Sequence, residues 1–125
     1  MSFESILQEI MDASPGAIGI ALMGNDGIPI VHLEGENAEE DSPLGDDLSA
    51  AGAEFGRILG DVHKASDQLG GGLINEVVIS LTRFTLLFRE VADDVVLLLA
   101  INPDGNIGKS RYLLRRYERA LREEL

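Results

Sequence analysis

The chain has 125 residues, 45% apolar and 26% charged, which suits one folded domain with a single buried core and excludes disordered and fibrous classes. Ten Lys and Arg stand against 22 Asp and Glu, a formal charge of -12 that argues against a nucleic-acid surface. No cysteine is present, so disulfides, zinc thiolate sites and thiol nucleophiles are excluded.

Phe3, Ile6, Leu7, Ile10 and Met11 form the stripe of an amphipathic first helix, with Ser2 as its cap and Ser14-Pro15-Gly16 as its end. This amino terminus carries acids within its apolar spacing and no positive n-region, so it does not read as a secretion signal and a cytoplasmic protein is expected. The apolar runs Ala17 to Met23 and Ile28 to Leu33 predict two strands, and Gly24-Asn25-Asp26-Gly27 between them predicts a tight hairpin. Residues 34–47, rich in acids and without a base, are too polar to bury a core of their own and are expected to form an acidic loop.

From Asp47 the period becomes helical. Leu48, Ala51, Phe55, Ile58, Leu59 and Val62 share one face, and Gly70-Gly71-Gly72 closes this second helix. Leu73 to Leu81, Phe84 to Val91 and Val95 to Asn102 then predict three strands whose short connections imply an antiparallel meander. Val95 to Ile101 is the longest apolar run, far too short to span a bilayer. Beyond Pro103-Asp104-Gly105-Asn106 a third helix runs toward Leu125, with Leu114, Tyr117 and Leu121 at helical spacing. The expected architecture is α+β: a single domain over 1–125, in the order α-β-β-α-β-β-β-α, with a five-stranded antiparallel sheet and helices on both faces.

No catalytic, cofactor-binding or metal-binding residue emerges from the chain. The segment Gly105-Asn106-Ile107-Gly108-Lys109-Ser110 ends like a phosphate loop, but Pro103 occupies the position that needs the first glycine, and too little chain follows for a nucleotide-binding parallel sheet. A polar turn capping a helix is the simpler reading; nucleotide or small-molecule binding there is the alternative. His32 and His63 have no partner suggesting acid-base chemistry, and the acidic loop lacks the ligand spacing of a calcium site.

Three features point to protein contacts. Gly52, Gly56 and Gly60, with Ala53, form a smooth ridge on the second helix, although each mid-helix glycine costs about 1 kcal/mol relative to alanine. The close neighbour is either the protein's own sheet or a second subunit; Leu48, Phe55, Leu59 and Val62 already supply a sheet-facing stripe, which favours the subunit. Ile74, Val77, Val78 and Ile79 would pair with another chain if the third strand lies at a sheet edge, whereas an interior strand fits the pattern equally well. Arg111, Arg115, Arg119 and Arg122 form a basic stripe on the third helix, able to meet the acidic loop or an acidic partner.

The order of elements, the Asn25-Asp26-Gly27-Ile28-Pro29-Ile30 turn, the small-residue helix Leu48-Ser49-Ala50-Ala51-Gly52-Ala53, the meander to Val95-Val96-Leu97-Leu98-Leu99-Ala100 and the Gly105-Asn106-Ile107-Gly108 segment together resemble the Roadblock family of dynein light-chain-like domains. The resemblance spans essentially the whole chain and is strongest toward the bacterial gliding-motility branch, with its MglB-like and MglC-like members. It implies a Roadblock/profilin-like sandwich without catalytic residues, forming a homodimer in which second helices and third strands pair across a two-fold axis. It also implies partners: a Ras-like small GTPase of a cell-polarity or motility pathway, or another Roadblock-domain protein of the MglB kind. On that reading the glycine ridge and Ile74 to Ile79 form the dimer seam. The long acidic loop, through Glu36, Glu39, Glu40 and Asp41, and the arginine stripe form docking surfaces for an adaptor. A structural light chain of a larger scaffold is the further alternative.

Overall fold

Ser2 opens the first helix because its side-chain oxygen accepts the N–H of Ser5 at 3.2 Å, one of the donors that a helix start leaves unpaired. The computed structural model of the protein describes residues 2–24, 26–35 and 48–125. Helix α1 (Phe3–Ala13) buries Ile6, Leu7, Ile10 and Met11. Strands β1 (Ala17–Gly24) and β2 (Pro29–Glu34) form an antiparallel hairpin, followed by α2 (Leu48–Leu69). Strands β3 (Val77–Ser80), β4 (Thr85–Ala92) and β5 (Val95–Ile101) form the meander, and α3 (Ile107–Glu124) ends the fold. Asn106 caps α3 by accepting the Lys109 N–H at 2.9 Å.

The five strands lie in the order β2-β1-β5-β4-β3, each pair antiparallel. Central strands β1, β4 and β5 are buried on both faces, so they read as continuous apolar runs rather than alternating ones. Alternation still sorts their side chains: Ile20, Leu22, Leu87, Leu97, Leu99 and Ile101 face α1 and α3, while Ala21, Met23, Leu86, Phe88, Val96 and Leu98 face α2. Helices therefore cover both faces of one five-stranded antiparallel sheet, as expected from the order of elements. Among the described residues no helix is long and apolar enough to cross a membrane.

Two expectations need correction. The third strand is shorter than Leu73 to Leu81: β3 pairs with β4 only from Val77↔Phe88 to Ser80↔Thr85. Ahead of it, the Ile74 N–H is diverted to the Glu90 carboxylate at 2.8 Å instead of joining a ladder. The second helix also does not bury its whole apolar arc. Leu48 and Leu59 reach the core, but Ile58 and Val62 are exposed by 53% and 41%. At about 100° per residue, Ile58 and Val62 lie roughly 100° and 60° to one side of Leu59, beyond the line along which a helix touches a sheet.

Candidate functional site

The glycine ridge of α2 lies on the other side of Leu59. Gly27, in the β1–β2 turn, has φ +84°, and a Cβ there would come within 2.8 Å of the Ala53 Cα, so the turn and helix backbones touch. A Cβ on Gly52 would sit 2.7 Å from the Met23 Cε, and one on Gly56 would be in ordinary contact with Gly27 at 3.6 Å. Both glycines are buried. The protein's own hairpin thus occupies the ridge at Gly52 and Gly56, and neither presents an open groove to a second subunit. Ala53 beside them is exposed. Gly60 is different: a Cβ there would meet nothing within 4 Å.

Beyond Gly60 lies a cavity of about 160 Å³ between α2 and the sheet, walled by Met23, Leu59, Ile74 and Val96. Its polar groups are His63, Lys64 and Glu90. Glu90 follows Leu86 and Phe88 on the α2-facing side of β4 and is only 4% exposed. Its carboxylate accepts the Ile74 N–H, and the His63 Nδ1 stands 3.0 Å from both of its oxygens. The Glu90 hydrogen bond and charge hold the His63 pKa above its ordinary 6.5, with smaller contributions from Asp67 and Asp93 and an opposing one from desolvation. A carboxylate at an inward position of a core strand is a signal that sequence reasoning missed, because such a group requires a partner.

The sheet order decides what periodicity left open. Strand β3 is at the edge, with Val77 and Ile79 half-buried toward α2 and Val78 exposed on the opposite face. Strand β2, at the other edge, begins with Pro29, which has no N–H to offer a further strand. The β3 edge and the aliphatic flank of α2, Ile58, Val62 and Leu69, are apolar surfaces that no other element covers among the described residues. Ile74, grouped with β3 from sequence, instead lines the cavity.

Most of the arginine stripe on α3 is engaged within the chain. Arg111 pairs with Glu76, Arg119 with Glu123 at 3.3 Å, and Arg122 with Glu118 at 2.7 Å and with the Val91 carbonyl at 3.0 Å. Arg115 is exposed beside Arg111 and Tyr112 in a polar groove that also reaches Arg89. Glu36, Glu39, Glu40 and Asp41 lie outside the described residues. In the 105–110 segment three amides are already used: Gly105 N–H donates to the Asn102 carbonyl, Lys109 N–H to Asn106 Oδ1 and Ser110 N–H to the Asn106 carbonyl. The Ser110 hydroxyl is buried against that of Ser14 at 2.5 Å. Geometry therefore makes this segment a capped helix start, with those three backbone donors spent internally.

No protein-family profile and no curated protein sequence matches the chain, but solved structures do. MglC from Myxococcus xanthus is 32% identical, with each chain covered in full and a TM-score of 0.71. The gliding protein MglB of Thermus thermophilus is 21% identical over 97% of this chain and 86% of its own, with a TM-score of 0.80. A Roadblock/LC7 domain from Streptomyces avermitilis is 14% identical over 98% and 97% of the two chains, with a TM-score of 0.78.

Proposed function

The chain belongs to the Roadblock/LC7 family, and from that premise we propose that it is a non-catalytic, dimeric adaptor of a Ras-like small-GTPase pathway governing bacterial cell polarity or gliding motility. The observation that carries this reading is the 32% identity with MglC over the full length of both chains. The adaptor acts in the cytoplasm as one domain over 1–125 and works by presenting surfaces rather than by making or breaking bonds.

Two features of the fold support a homodimer. The β3 edge is open and free of proline, so Val77 to Ser80 can pair with the same strand of a second copy. The flank of α2 offers the exposed Ile58 and Val62, which moves the helical part of the seam from the glycine ridge to the aliphatic side. The partners are another Roadblock-domain protein of the MglB kind, the GTPase, or both. The acidic segment with Glu36, Glu39, Glu40 and Asp41 recruits a basic partner surface, and Arg115 is the member of the α3 stripe best placed for an acidic one.

Calorimetry with an MglB-like Roadblock protein and with a Ras-like GTPase tests the proposal, alongside GTP and ATP added to this chain alone. Binding to either protein is expected, weakened by salt and by neutralising Glu36, Glu39, Glu40 and Asp41 together. Nucleotide binding by the isolated chain, lost in Lys109→Ala, would replace the adaptor with a nucleotide-binding protein.

A further inference from the structure

Gly60 has no structural explanation within the protomer. Its φ is not positive, so left-handed backbone freedom is not the reason, and among the described residues no neighbour comes close enough to forbid a side chain. A glycine in mid-helix nevertheless costs about 1 kcal/mol relative to alanine. The space its missing side chain leaves is part of the 160 Å³ cavity. At the polar wall of that cavity stands the buried carboxyl group of Glu90. One of its oxygens takes the Ile74 N–H and both share the single His63 Nδ1, which leaves lone-pair capacity unused.

We propose that this cavity binds a small neutral alcohol or phenol, its ring or branched chain seated beside Gly60 between Leu59 and Val96 and its hydroxyl donating to Glu90. Volume sets the body: a protein cavity of about 150 Å³ accommodates benzene, so the ligand has about six to nine non-hydrogen atoms. Charge sets the head. His63 already engages the Glu90 carboxyl and Lys64 adds a cation to the lining, so an ammonium head is disfavoured. A carboxylate head would meet Glu90 itself. The polarizable thioether of Met23 suits an aromatic edge. The site is independent of the proposed dimer seam, because Ile58 lies about 200° around α2 from Gly60.

The test is methyl-resolved NMR of the full chain titrated with phenol and cyclohexanol, with benzylamine and benzoate as charged counterparts. Expected are saturable shifts at Met23, Leu59, Ile74 and Val96 for the neutral probes, with affinity at least about tenfold weaker for the charged ones. Gly60→Leu, which fills the space, should lower affinity at least about tenfold with the spectrum of a folded protein retained. If Gly60→Leu does not fold, Gly60→Ala serves instead and should weaken binding about threefold through one added methyl. Absence of saturable shifts, or affinity unchanged in these variants, overturns the proposal. So do cavity-methyl shifts that depend on protein concentration alone, which would assign the space to a second copy.

Discussion

Truncating Glu90 probes the join between α2, β4 and the segment before β3. Glu90→Ala strips the Ile74 N–H of its 2.8 Å acceptor in a part-buried position, a loss of about 1–3 kcal/mol. It also removes one packed methylene, worth about 0.8 kcal/mol. His63 is 29% exposed and recovers water, so it adds little. The expected destabilisation is about 2–4 kcal/mol, a large part of the roughly 5–15 kcal/mol that holds a domain folded. Glu90→Gln keeps the volume and an acceptor for Ile74 and gives up only the charged character of the contact with His63, for about 1 kcal/mol. Urea unfolding at pH 6 and one fixed protein concentration measures both, the concentration being held because association contributes to apparent stability. Equal losses for the two variants would refute the assignment of the larger part to the Ile74 hydrogen bond. A His63→Ala, Glu90→Gln double-mutant cycle with no coupling would remove the pair from the account altogether.

The same bond makes stability depend on pH: with the folded-state pKa of His63 raised above 6.5, its stabilisation is complete below that value and disappears as pH climbs through the folded pKa. Thermal melts of wild type and His63→Gln from pH 5.5 to 9 should converge toward the alkaline end, and a constant gap would contradict the linkage. Gly60→Ala should raise stability by about 0.5–1 kcal/mol, since its Cβ meets open space, whereas Gly27→Ala should lower it by about 1–3 kcal/mol through positive φ and contact with Ala53; thermal unfolding of the two variants distinguishes them by sign. Ile58→Asp, at an exposed position, should change monomer stability by no more than about 0.5 kcal/mol. Light scattering should nonetheless show its mass falling to that of one chain, and an unaltered dimer would move the seam elsewhere.

Local patterning in the chain was enough to place α1, the β1–β2 hairpin, the meander and α3, because each rests on short-range physics. Ser2 and Asn106 are capping residues read where they stand, and Asp26-Gly27 is a turn whatever surrounds it. The long apolar runs of β4 and β5 also marked these segments as strands, which the structure shows buried on both faces. Contact partners were another matter. The glycines on α2 signalled a close approach, but a helix shows the same spacing whether it approaches its own hairpin or another molecule.

What the sequence determined by itself is therefore the order of elements, the balance of charge and the family resemblance, all of which depend on residue identity and spacing along one line. Only the tertiary structure decided that β3 lies at the edge, that Gly52 and Gly56 touch Met23 and Gly27 while Gly60 faces a cavity, and that Glu90 meets His63 from 27 residues away. These depend on how α2 is rotated and seated on the sheet. A turn of about 100° exchanges Leu59 for Gly60 at the core, and burial summed over both faces of the sheet, rather than any local preference, selects the rotation.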